Sequence, residues 1–240
     1  MNYLNGTVKG KSTSISKNKI KESLSQISTV FVKKWVDYSS KYGLGYLLSD
    51  GTTGIYFNDN SKILVDHYNN KIDYVSKSDG RSSELMSFSM EEIPHNREIS
   101  KKVTLMQYFR KYLNGANSYQ TSSNTGFSEK KPNDPPFCYV KCWLKTYQVI
   151  LFRLNNKIIQ VNFSDKSQLV IYAEKELMVF TGANHSSKSF YHLGDDIPRG
   201  SEAYRKLEVV KGMLIKLNSK EEESKPSVDN EESNLMVDAF

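Results

Sequence analysis

The residues best suited to chemistry form one short run near the start of the chain, Lys33-Lys34-Trp35-Val36-Asp37-Tyr38. An indole stands there among ammonium and carboxylate groups. Tryptophan buries a large ring and still donates from its indole N–H, as interface anchors do. The same ring would serve equally well in a core, and the sequence leaves both readings open. Catalytic groups are harder to find. His67, His95, His185 and His192 are scattered and neighbour no nucleophile motif, so they read as surface or loop residues rather than general bases. Gly43-Leu44-Gly45 lacks a third glycine and a following helix and reads as a turn, and no kinase-type element is visible. Cys138 and Cys142 have no histidine pair beside them. Structural zinc takes four ligands, so both are expected to be reduced structural thiols. No catalytic residue, metal or cofactor is expected.

Charge narrows the partner. The 240 residues carry a formal +6, but Ser219–Phe240 holds seven acids against two lysines, which leaves +11 on the rest. A basic body with an acidic tail suggests an anionic partner, either nucleic acid or phosphorylated protein. The chain has fifteen tyrosines, but most lie in apolar strand or helix patterns, and no zinc-finger, RNP or helix-turn-helix signature accompanies them. That argues against nucleic acid. No apolar run approaches a membrane span, and the polar first 30 residues lack the apolar segment of a secretory signal, so a cytoplasmic or nuclear protein is expected.

The elements that must position these residues come in two copies. Tyr46–Val65 aligns with Phe152–Ile171 at a constant offset of 106 residues, pairing Phe57 with Phe163, Asp59 with Asp165 and Ser61 with Ser167. Each copy reads as an antiparallel meander. The first has strands near Tyr46–Leu48, Gly54–Phe57, Lys62–Val65 and Ile72–Val75; the second near Gln148–Leu154, Ile158–Phe163, Leu169–Ile171 and Leu177–Phe180. Helical spacing closes each half, over Thr104–Leu113 and Glu202–Leu217. The fold class is therefore α+β: two related halves, each a sheet followed by one helix. The division expected is 1–30 as a flexible N-terminus with a short helix over Ser16–Ser28, 31–113 and 138–217 as the halves, 114–137 as a linker, and 218–240 as an acidic disordered tail.

Trp35-Val36-Asp37-Tyr38-Ser39 and Lys41-Tyr42-Gly43-Leu44-Gly45-Tyr46 closely resemble the opening of the first polo box of polo-like kinases. Lys101-Lys102-Val103-Thr104-Leu105, with Tyr108-Phe109-Arg110 and Tyr112, resembles the helix of that box. Gln160-Val161-Asn162-Phe163 resembles the matching strand of the second. The resemblance covers Phe31–Leu217. It implies two polo boxes, each a six-stranded antiparallel sheet with one helix, packed together behind an N-terminal cap helix. It also implies docking of proteins that carry a Ser-phosphoSer/Thr motif, in a groove between the boxes.

On that resemblance Trp35 holds the serine, Val32 and Leu105 line the apolar part of the groove, and Asp37 orders its edge. Tyr38 and Tyr42 belong to a tyrosine-rich side pocket. The family's Asp-His-Thr-Lys clamp reads Asp165-Lys166-Ser167-Gln168 here, with Lys166 at the His position and Gln168 at the Lys position. One lost charged contact implies a phosphate dependence weaker by about 1–2 kcal/mol. The alternative is a phosphate-independent scaffold or dimerisation module. No kinase motif is visible and the chain opens about 30 residues before the first box, so the resemblance implies either a kinase-less protein or the non-catalytic piece of a kinase, with a catalytic domain as a partner in cis. It further implies cell-division sites: spindle pole, centrosome and kinetochore.

Overall fold

The computed structural model describes residues 30–77, 83–115, 130–185, 188–193 and 197–223. The helix expected over Ser16–Ser28 and most of the linker lie outside the described residues. Two six-stranded antiparallel sheets build the fold, each followed by a helix. The first half runs β1 Val32–Tyr38, β2 Gly43–Leu48, β3 Thr53–Phe57, β4 Lys62–Val65, β5 Lys71–Val75 and β6 Leu85–Ser89, then α1 Arg97–Asn114. The second runs β7 Val140–Lys145, β8 Val149–Leu154, β9 Ile158–Phe163, β10 Gln168–Tyr172, β11 Leu177–Thr181 and β12 Lys188–His192, then α2 Glu202–Glu223. Strand order follows chain order in both sheets, so each strand pairs with its neighbours in sequence.

Each sheet buries both faces, and that is why β2 and β8 read as apolar runs. One face packs on its own helix. Ile55, Ile63, Ile72 and Phe88 meet Ile99, Val103, Met106 and Phe109 of α1. In the second half Leu151, Val161, Leu169 and Met178 meet Leu207, Val210 and Met213 of α2. The other faces meet each other. Val32, Leu44, Tyr46 and Leu48 form one cluster with Val140, Ile150, Phe152, Leu154 and Ile158. Burying such a layer is the main force joining the halves.

Helix ends follow side-chain chemistry. Asn96 caps α1, its side-chain oxygen accepting from Glu98 N and Ile99 N, and Lys34 Nζ donates to Leu113 O at the far end. The helix therefore begins two turns before the apolar spacing at Thr104 suggests. Ser201 Oγ accepts from Tyr204 N at the start of α2. This helix continues to Glu223, into the acidic tail expected to be disordered from 218, because glutamate and lysine are good helix formers.

One lysine ties each helix to a sheet turn. Lys102 Nζ donates to Asp59 Oδ2 (2.7 Å), Ser61 Oγ (2.6 Å) and Glu98 Oε1 (2.7 Å). Lys206 Nζ donates to Asp165 Oδ2 and sits 4.2 Å from the Phe163 ring centroid. Both turns fold alike. Asp59 Oδ1 accepts from Ser61 N and Oγ, and Asp165 Oδ1 accepts from Ser167 N and Oγ. The residue between them is left-handed in each, Asn60 at φ 65° and Lys166 at φ 70°.

Candidate docking groove between the halves

Alternation along β1 sorts its side chains. Trp35 stands opposite Tyr46 and Asp37 opposite Leu44, so both face the second half. Val36 and Tyr38 face α1 instead. The Trp35 ring rests edge-on against Phe152, with centroids 5.5 Å apart, and stays 38% exposed. It is thus neither a core residue nor a free surface one. It forms the wall of an open seam. Asp37 accepts from Ser39 N and Oγ and from Lys145 Nζ (2.6 Å) of the second half. Partial burial raises its pKa, but Lys145 and Ser39 outweigh that and leave it below the usual carboxylate value.

Strand registers build the opposite wall. Gln168, Asn162, Ile150 and Lys145 form one line across β10, β9, β8 and β7, with Val170, Gln160, Phe152 and Trp143 in the next line. Gln168 Nε2 donates to Asn162 Oδ1 at 2.9 Å. Lys166 stands exposed in the turn before Gln168, held at φ 70°. Burial raises the pKa of the Asp165 carboxyl beside it, but Lys206 and Ser167 together outweigh that and hold it down to about 2. From β8, where Trp35 packs, to β10, where Gln168 begins, is two strand spacings, about 10 Å. Three extended residues, at ~3.3 Å each, span that distance.

Two expected groove residues belong elsewhere. Val32 is 2% exposed in the layer between the halves, and the Gln160 side chain takes both its N–H (2.7 Å) and its C=O (2.8 Å). An irregularity in register between Val32 and Lys34 turns the Val32 side chain inward with Trp35 on the same sheet face. Leu105 lies not beside Trp35 but in the side pocket, a cavity of about 400 Å³ that it lines with Val36, Tyr38, Tyr42, Tyr108 and Tyr112. It projects from α1 towards the face of β1 that Trp35 does not use. Phe109 closes that cavity against Tyr38, ring centroids 5.7 Å apart.

Sequence reading missed Lys145, Phe152, Gln160 and Asn162. A signal for Lys145 existed, since it stands opposite Ile150 as Asp37 stands opposite Leu44, and those positions are related by the repeat. Opposite charges at equivalent places in two packed copies invite a cross-pair. Among the described residues no group of three or more His, Cys, Asp or Glu could hold a metal, and no helix is long and apolar enough to cross a membrane. Neither cysteine is in a disulfide, and burial pushes the Cys138 thiol up to about 12.

Comparison with known proteins agrees with this architecture. The family described as POLO box duplicated region matches residues 40–103 and again 146–199. A probable serine/threonine-protein kinase, CCRP1, of Zea mays is 40% identical over 152 residues, which are 63% of this chain and 23% of that protein. Serine/threonine-protein kinase plk-1 of Caenorhabditis elegans is 33% identical over 156 residues, 64% of this chain and 23% of that protein. The chain thus spans about a quarter of these relatives, and what it matches is their polo-box part, not their catalytic part. The polo-box domain of Cdc5 from budding yeast superposes with a TM-score of 0.56 at 23% identity, covering 81% of this chain and 77% of that one. The Cdc5 polo-box domain in complex with Spc72 phosphopeptide gives 0.56 at 24% identity, covering 84% and 72%.

Proposed function

Because this chain belongs to the polo-box family, with two boxes in tandem, we propose that its inter-box groove docks phosphorylated segments of other proteins. The observation that carries this reading is the spacing across one continuous sheet face. β8, where Trp35 packs on Phe152, and β10, which the turn bearing Lys166 precedes, lie two strand spacings apart, about 10 Å measured across the strands. A Ser-phosphoSer/Thr segment would lay its serine against the Trp35 ring and bring the phosphate to the Lys166 ammonium. Gln168 would add a neutral hydrogen bond where a cation would give a stronger one. Val32, being buried, supplies the floor indirectly by fixing the start of β1, and Asp37 holds the edge through Lys145. Such a module would carry an attached catalytic domain, or a scaffold, to phosphorylated partners in the cytoplasm and nucleus, cell-division structures among them.

Fluorescence anisotropy with a labelled Ser-phosphoThr peptide and its unphosphorylated twin tests this. The phosphorylated peptide should bind more tightly. Lys166→Ala should cost about 1–2 kcal/mol for that peptide alone, and Trp35→Ala about 2 kcal/mol or more for both. Equal affinity for the two peptides would move the function to phosphate-independent scaffolding, the reading that the neutral Gln168 favours.

A further inference from the structure

Resting on the docking reading above, we infer that Lys206 of α2 is a positioning residue for the phosphate reader, acting through Asp165 on the turn that carries Lys166. The argument starts from a conflict within that turn. Asp165 immediately precedes Lys166, and its side chain is 45% exposed. An unpaired carboxylate there would repel the dianionic phosphate that Lys166 is placed to attract. Yet the turn uses that side chain, because Asp165 Oδ1 accepts from both Ser167 N (2.9 Å) and Ser167 Oγ (2.6 Å).

Lys206 resolves the conflict. Its ammonium takes the other oxygen, Oδ2, and sits 4.2 Å from the ring centroid of Phe163, the last residue of β9. The contact has two effects. It offsets the negative charge beside Lys166, and it fixes the turn to the rigid helix, so that Lys166 is held at φ 70°, a conformation that L side chains seldom adopt.

The first box contains the internal control. Lys102, Asp59 and Ser61 reproduce the same latch, with Asn60 at the left-handed position. Asn60 holds no charge for a phosphate; its side chain accepts instead from Tyr56 Oη at 3.0 Å. The latch is therefore a general way of folding this turn, and in the second box alone it presents a cation at that position.

The test uses the full chain, both peptides and a thermal melt of each variant. Lys206→Met should lower affinity for the phosphorylated peptide about tenfold and change that for the unphosphorylated twin less than twofold. Adding Asp165→Asn to it should recover much of the loss, because the repelling charge is gone and an amide oxygen still accepts from Ser167. Lys206→Arg should keep affinity near the parent level. An unchanged ratio between the two peptides in Lys206→Met, or a double variant no better than the single one, would overturn the inference while leaving docking intact. A parent chain that does not distinguish the peptides would overturn both.

Discussion

Position for position, Tyr46 and Gly54 of the first box answer to Phe152 and Gln160 of the second, at the offset of 106 residues. In the first box the Tyr46 ring lies flat over Gly54, where a Cβ would stand 2.3 Å from Cζ, and its hydroxyl accepts from Val140 N at 3.2 Å. In the second box Phe152 has no hydroxyl, and Gln160 reaches across instead to Val32 N and O. Val32 and Val140 are themselves equivalent, standing opposite Leu48 and Leu154. Each box thus grips the first strand of the other, one with a phenol and one with an amide. The duplicated sheets keep the place of the grip, and its chemistry has diverged.

The asymmetry sets the largest expected effect. Gln160→Leu leaves two buried main-chain groups of Val32 without partners, and each such group costs about 1–3 kcal/mol. We expect a loss of about 3 kcal/mol in urea denaturation. Tyr46→Phe strands only Val140 N, for about 1.5 kcal/mol. If the two variants cost the same, the amide grip is no stronger than the phenol grip and the comparison breaks. Because β1 carries Trp35 and Asp37, Gln160→Leu should also weaken both peptides in the anisotropy assay, whether or not they carry phosphate.

The turns give a smaller and opposite effect. The position that is Asn60 in the first box is Lys166 in the second, and a left-handed backbone costs an L residue without local hydrogen bonding about 1–2 kcal/mol. Glycine removes that cost but adds unfolded-state entropy of about 0.4–1 kcal/mol. Lys166→Gly should therefore stabilise the chain by about 0.5 kcal/mol while erasing its preference for phosphate. Asn60→Gly, which also loses the bond from Tyr56, should give no gain. Stabilisation at Lys166 alone would show strain kept for binding; a loss there would show that the lysine stem contributes packing to the turn.

How far the sequence reveals this depends on the neighbours each strand has. Inner strands such as β2, β3, β8 and β9 are buried along most of both faces and stand out as runs between turns. The outer strands β1, β6, β7 and β12 each pair on one side only and carry lysines, serines and a histidine, so their pattern is faint, and six strands per box came from the resemblance. The same faintness limited the site. Trp35, Asp37, Tyr38 and Tyr42 share one motif, and alternation divides them between groove and pocket. Val32 lies three residues from Trp35, which in a regular strand means opposite faces; the shifted register at Val32/Lys34 puts both towards the second box. Leu105 has the right helical spacing for a packed face, but which side of β1 that helix meets is a tertiary fact.

The smallest effect concerns acid, and it separates the two latches. Asp59 and Asp165 both titrate below the ordinary carboxylate value of 3.8: partial burial opposes ionisation, and their lysine and serine partners outweigh it. A folded pKa below the unfolded one stabilises the chain fully above the ordinary carboxylate range, and that contribution is lost as pH falls through the folded value. For Asp165 the window runs from 3.8 down to about 2. Its side chain is 45% exposed, so solvent screening should hold the contribution below about 1 kcal/mol. Measured against Asp165→Asn, the parent should keep a constant advantage above pH ~5 and lose it towards pH ~2. Asp59→Asn should cost more at neutral pH, because Lys102, only 9% exposed, then keeps Glu98 as its one carboxylate partner. Were the Asp165→Asn curve to run parallel to the parent down to pH ~2, the carboxylate would not be the group that Lys206 neutralises, and the two turns would differ in more than the residue they present.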